Sequence, residues 1–281
     1  MKLNSPGKNS GEARDPRRAT AAVVRSATCL ALLSAPVARA EADGSAEREV
    51  SLKAADGWRI SGSLSIPNTK GKAPGVVLVH GSRHEKDAYG QALPRMLNER
   101  GIAMLRIDIR GRGASREPLT FNSMAPEQRG AVRLDIEAAV DFLSSQPGVD
   151  GRRIAVVAEQ DSANPAVTAC AKDPRVAALV LISGRLSKKA KDEMAAAPFP
   201  IFCLVSKEDG RGFKDMTDAY LSSNHRLSRL KVFEGIGFGT TMFSAWQYEF
   251  PKEQPIEQMI GMWLADRLKK AARVAAHNRA R

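Results

Sequence analysis

Apolar positions along this chain follow two rhythms. The first is alternation: Val50-Ser51-Leu52 and Trp58-Arg59-Ile60-Ser61-Gly62-Ser63-Leu64-Ser65-Ile66 place apolar residues at every second position, with Asp56-Gly57 between the two stretches. A period of two on either side of such a dipeptide predicts an antiparallel hairpin. The second rhythm is a series of short, unbroken apolar runs: Gly75 to His80, Ile102 to Ile107, Ile154 to Val157, Val176 to Ile182, Ile201 to Val205 and Leu230 to Phe233. Runs of this length rich in Val, Ile and Leu predict strands covered on both faces, as in a parallel sheet. Helical spacing fills the intervals. Ile136, Ala139, Val140 and Leu143 share one face of a helix that ends at Gln146-Pro147-Gly148, and Ile256, Met259, Ile260, Trp263 and Leu264 form a core-facing stripe near the end. Strand, helix, strand implies parallel crossovers. The fold class is α/β: a doubly wound, mostly parallel sheet with an N-terminal antiparallel hairpin at its edge.

The first forty residues stand outside this pattern. Arg14, Arg17 and Arg18 lead into an apolar Ala/Val/Leu segment that ends at Ala38-Arg39-Ala40, with small residues where a signal peptidase reads. Residues 1–40 are therefore expected to be a signal peptide and residues 41–281 one folded domain, exported to a periplasmic or extracellular location. No later stretch reaches the roughly twenty apolar residues of a membrane span. Of the 281 residues, 43 are Lys or Arg and 31 are Asp or Glu. Cleavage would leave 36 basic and 29 acidic residues, a charge of +7. Much of that excess lies in Arg267, Lys269, Lys270, Arg273, Arg279 and Arg281, a solvated helix end or, alternatively, a weak contact for anionic surfaces. Nucleic-acid binding lacks a motif and a stacking platform. Cys170 and Cys203 fall on a helix and a buried strand and are expected to be separate thiols. His80, His84, His225 and His277 form no paired ligand spacing, so neither a metal nor a cofactor is implied.

Candidate chemistry gathers at the ends of the apolar runs. Val79-His80-Gly81-Ser82 closes the first, Asp108-Ile109-Arg110-Gly111-Arg112-Gly113-Ala114-Ser115 follows the second, and Ala158-Glu159-Gln160-Asp161-Ser162-Ala163 follows the third. A sharp strand-to-helix turn demands small residues two before and two after its strained apex. Gln160 satisfies that demand with Ala158 and Ser162, whereas an apex at Asp161 or Ser162 would put Glu159 or Gln160 at a position that should be small.

These motifs, in this order, resemble the α/β-hydrolase fold superfamily, with its dienelactone-hydrolase-like and serine-aminopeptidase-like members most similar. The resemblance implies that the Gly81-Ser82 loop presents backbone donors to an oxyanion, that Gln160 stands where the nucleophile belongs, that Asp209 in Ser206-Lys207-Glu208-Asp209-Gly210 is the triad acid, and that Phe238 in Gly235-Ile236-Gly237-Phe238-Gly239 replaces the histidine. It also implies a minimal cap or none, since the interval between Ile182 and Ile201 is too short for one. Gln cannot attack a carbonyl, and Phe cannot shuttle a proton. Asp161 is expected to cap the following helix and Ser162 to supply a small side chain, with nucleophile as the alternative role of each. His84 could overhang the pocket as a replacement base.

Three functions compete. The first is an exported pseudohydrolase that binds a small molecule or peptide bearing a carbonyl or carboxylate, with Gly81, Ser82 and Asp161 as contacts and Phe238 as an apolar wall. The second is an active hydrolase using Ser162 or Asp161. The third is a structural subunit with an occluded pocket.

Overall fold

The computed structural model describes residues 47–277, with side chains described to residue 269. The expected signal peptide lies outside the described residues, as do most of the basic side chains at the far end.

Eight strands form one sheet in the order β1-β2-β4-β3-β5-β6-β7-β8. The strands are β1 (Arg48–Lys53), β2 (Arg59–Ser65), β3 (Ala73–Val79), β4 (Ala103–Ile107), β5 (Val149–Glu159), β6 (Val176–Ile182), β7 (Ile201–Ser206) and β8 (Arg229–Phe233). β1 and β2 pair antiparallel, β2 pairs antiparallel with β4, and every pairing from β4 through β8 is parallel. The helices are α1 (Ala92–Glu99), α2 (Pro126–Gly130), α3 (Val132–Ser144), α4 (Ala163–Cys170), α5 (Lys188–Ala195), α6 (Arg211–Ser222), α7 (Thr241–Glu249) and α8 (Ile256–His277). Between β6 and β7 the chain forms only α5, and no cap domain is inserted there.

The unbroken apolar runs follow from burial on both faces. Val77, Val79, Ile154, Val156, Leu179 and Leu181 enter a core shared with α3 and α4. Their alternate neighbours Val76, Leu78, Ala155, Val157 and Val180 enter a second core with Leu93 and Leu97 of α1 and with Ile256, Ile260 and Leu264 of α8. β5 begins five residues earlier than its apolar run, because Val149 pairs with Ala73 ahead of a register shift. Cys170 and Cys203 are free and buried, and burial pushes both thiols well above their ordinary range.

The Asp108 to Ser115 turn is architectural. The Arg110 guanidinium donates to Asp135 at 2.7 and 2.9 Å and to Asp56 at 2.6 and 3.2 Å, and stacks 5.3 Å from the Trp58 ring. Asp108 accepts the Lys86 and Ala114 amides at 2.8 and 3.0 Å, while the Ser115 hydroxyl donates to the Asp108 carbonyl. A Cβ at Gly113, where φ is +47°, would sit 2.1 Å from the Asp108 carboxyl carbon, so only glycine fits.

Candidate functional site

The strand-to-helix turn has its apex at Gln160. Glu159 is still extended, Gln160 has φ +51°, and Gln160–Ser162 form one 3₁₀ turn before α4. A positive φ in a residue with a side chain costs on the order of 1 kcal/mol and persists only where surrounding contacts impose it. The Gln160 carbonyl accepts the Arg185 amide at 3.1 Å, and the loop after β8 packs against its side chain. A Cβ on Gly239, which has φ +64°, would lie 2.3 Å from Gln160 Nε2. Ser162 is buried, and its hydroxyl donates to the His80 carbonyl at 2.6 Å. That bond ties α4 to the end of β3.

Glu159 organises the site. Its carboxylate is wholly buried, and it accepts from the Gly81 amide at 2.9 Å, the Thr240 amide at 2.8 Å and the His84 Nδ1 at 2.5 Å. Burial by itself would raise this carboxyl. The hydrogen bond from His84 and the two amides outweigh burial and hold it below the usual carboxylate range. The same hydrogen bond raises the pKa of the His84 imidazole, against partial burial.

The next residue repeats the theme: Asp161 Oδ1 accepts the Ser82 amide at 2.8 Å. Asp161 therefore does not cap α4 as expected, because its carboxylate reaches across to the loop after β3 instead. The Gly81 and Ser82 amides expected to face an oxyanion likewise donate to carboxylates of this chain. A buried anion at residue 159 has to draw donors from whatever lies nearest, and these loops supply them.

Asp209 lies after β7, as expected, in a 3₁₀ turn spanning Lys207–Asp209. Its neighbour across the sheet end is Ser183, the other side-chain-bearing residue at positive φ (+50°) among the described residues. The Gly239 amide donates to the Ser183 hydroxyl at 2.8 Å. Burial raises the Asp209 carboxyl, partly offset by the Ser183 hydroxyl and by Arg185, whose Nη2 lies 3.4 Å from Oδ1. Asp209 Oδ2 is buried without a hydrogen-bond partner. Phe238 stands between Gly237 and Gly239 with 45% of its surface exposed. Residues 160, 209 and 238 thus belong to three loops meeting at one end of the sheet, linked through Ser183 and Gly239.

His80 and His225 play other parts. The buried His80 ring donates from Nδ1 to the Gly81 carbonyl at 2.7 Å and accepts the Ile109 amide at Nε2, and burial lowers its pKa. His225 accepts the Leu227 amide at Nδ1 in the loop before β8.

Beside the turn lies a cleft of about 550 Å³. Its elbow side comprises Ser82, Asp161, Ser162 and Asn164, and its walls include Ile109, Phe121, Val132 and Pro165. Arg129 and Arg133, at the corner between α2 and α3, also line it. Phe238 is not among its lining residues, so the apolar wall expected of it comes from Phe121 instead.

The sheet order, the crossovers and the strained turn after β5 define an α/β-hydrolase fold. The chain belongs to the FrsA-like family, described as "Esterase FrsA-like", whose model matches residues 26–249. Among solved structures, a dienelactone hydrolase from Anabaena variabilis superposes with a TM-score of 0.63 at 19% identity, covering 81% of this chain and 98% of that one. The α/β hydrolase GrgF from Penicillium sp. sh18 superposes with a TM-score of 0.64 at 16% identity, covering 80% of this chain and 99% of the other. Of curated proteins, the thiohydrolase aneE of Aspergillus aculeatus is 27% identical over 52% of this chain and 44% of its own length. The uncharacterized protein Rv2307c of Mycobacterium tuberculosis is 32% identical over 53% of this chain and 49% of its own. The chain spans about half the length of the curated relatives it matches.

Two residues of the site escaped sequence reasoning. Glu159 had a usable signal, a carboxylate as the last residue of a buried strand, since such a charge must be met by donors. Ser183 had none, because nothing in its sequence neighbourhood announces a positive φ.

Proposed function

We propose that this protein is an exported, non-catalytic member of its family that binds a small ligand in the cleft beside the former nucleophile position. One observation carries the reading. The apex residue is Gln160, and the Gly81 and Ser82 amides expected to face an oxyanion donate to Glu159 and Asp161. Acyl transfer requires an attacking atom and donors free to meet the charge that develops. Ser162 and Asp161, the alternative nucleophiles, are committed to the His80 carbonyl and the Ser82 amide. The names of the relatives, which include esterases and a thiohydrolase, agree with descent from a hydrolase scaffold.

A second reading rests on His84. Its Nδ1 bond to Glu159 is the carboxylate–imidazole arrangement that orients a general base, so water could be activated without a protein nucleophile. A panel of short-chain aryl esters separates the two readings, and a fluorophosphonate probe tests Ser162 as a nucleophile. We expect no labelling and no turnover above buffer. Turnover abolished by His84→Ala, Ser162→Ala or Asp161→Asn would overturn the non-catalytic reading.

A further inference from the structure

The cleft beside the elbow carries its own chemical signature. Arg129 has no carboxylate within ion-pair distance among the described residues. Its guanidinium is nonetheless held in place: Nε donates to the Met124 carbonyl at 3.0 Å, Nη2 donates to the Asn122 carbonyl at 3.3 Å, and the group lies 5.9 Å from the Phe121 ring centroid. The Arg112 guanidinium also lies over this ring, 5.0 Å from its centroid. Those two carbonyl bonds use only part of a five-donor fork, and the fork is already oriented. Arg133, in the first turn of α3, pairs with Glu137 and adds a second cation to the lining. An oriented guanidinium lacking an anion is suited to receive one, bidentately in the case of a carboxylate.

The elbow side has the opposite requirement. Asp161 commits Oδ1 to the Ser82 amide, and its negative charge repels an anionic group and attracts a donor. Between these groups lie the apolar walls of Ile109, Phe121, Val132 and Pro165. A volume of about 550 Å³ falls within the range of small-molecule sites.

We infer that the cleft binds an amphipathic monocarboxylate whose acid group sits on Arg129 and Arg133 and whose apolar body carries a hydroxyl or amide donor toward Asp161. This assignment rests on the non-catalytic reading and names the ligand class for that site. Dianions and neutral esters are disfavoured, the former by Asp161 and the latter by leaving the Arg129 guanidinium without an anion.

Calorimetry and thermal shift with 3-hydroxyoctanoate, its methyl ester and octanoate, on the purified protein, test the assignment. The hydroxy acid should bind and raise Tm. The methyl ester and octanoate should bind more weakly. Arg129→Gln should weaken the acid by about tenfold or more, as expected for loss of a charged hydrogen bond. Asp161→Asn should erase the preference for 3-hydroxyoctanoate over octanoate. Both side chains face solvent or the cleft, and circular dichroism of each variant checks that it folds. Equal binding of acid and ester, indifference to Arg129→Gln, or failure of all three probes to bind overturns the ligand class. Turnover of the methyl ester would instead sink the non-catalytic reading itself.

Discussion

Glu159 decides what the neighbouring positions can do. A wholly buried carboxylate needs donors, and it takes them from both loops that a working hydrolase reserves for chemistry. On the proposed non-catalytic reading, installing acyl transfer therefore takes more than a nucleophile. Gln160→Ser with Phe238→His would supply an attacking hydroxyl and an imidazole, yet the Ser82 amide would still donate to Asp161. We expect the double variant to remain unlabelled by a fluorophosphonate, and the triple variant adding Asp161→Ala to gain slow labelling. Labelling of the double variant at the same rate would show that the Asp161 contact is no obstacle. Asp209 permits a separate test at this scale. Its carboxyl is raised by burial, so ionisation opposes folding, and the cost appears as pH climbs above the ordinary carboxylate value. With Oδ2 buried and unpartnered, Asp209→Asn should be neutral or stabilising by on the order of 1 kcal/mol at pH 7, read as denaturation midpoint. A loss of stability would mean that the charge is used in a way the geometry does not reveal.

The turn after β4 holds the site from beneath, and its strength lies in Arg110. Asp135 on α3 is fully buried, burial pushes its carboxyl up to about 6, and the Arg110 guanidinium and amide pull the other way. Removing one partner of such a pair leaves the other unmet. Asp135→Ala should cost about 3–5 kcal/mol, measured by urea unfolding, whereas the exposed Lys188–Asp192 pair on α5 should cost under about 1 kcal/mol when broken. The elements themselves were legible because period and burial coincide. Runs such as Val176 to Ile182 are apolar throughout since both faces are covered, and that is visible in one dimension. The apex at Gln160 was legible from the small residues Ala158 and Ser162 around it. What stayed hidden depended on contacts between distant loops. The early start of β5 depends on pairing with β3, α7 lacks a strong apolar stripe, and the Asp161 to Ser82 bond joins residues far apart in sequence. A local rule for helix starts assigned Asp161 a cap, but tertiary proximity gave it a different donor.

At the scale of the molecule, the His84–Glu159 pair couples three segments: the loop after β3, the end of β5 and the loop after β8. Its contribution to stability therefore follows two titrations. The Glu159 carboxyl is lowered on folding, so its share is complete above the ordinary glutamate value near 4.5 and vanishes as pH falls through the lower folded value. The His84 imidazole is raised, so its share is complete below the ordinary value near 6.5 and is lost as pH rises through the higher folded value. Both shares are present together between about pH 4.5 and 6.5, which should be where the pair stabilises the fold most. His84→Ala should cost about 2 kcal/mol in that window, and less once pH has risen through the raised folded value of the imidazole, where its charge is lost. The measurement is the difference in denaturation midpoint between wild type and His84→Ala across pH 4 to 9. A difference that stays flat would mean that the imidazole acts by packing alone. A difference that grows toward high pH would mean that neutral His84 is the form the loops require, reversing the sign argued from the raised imidazole.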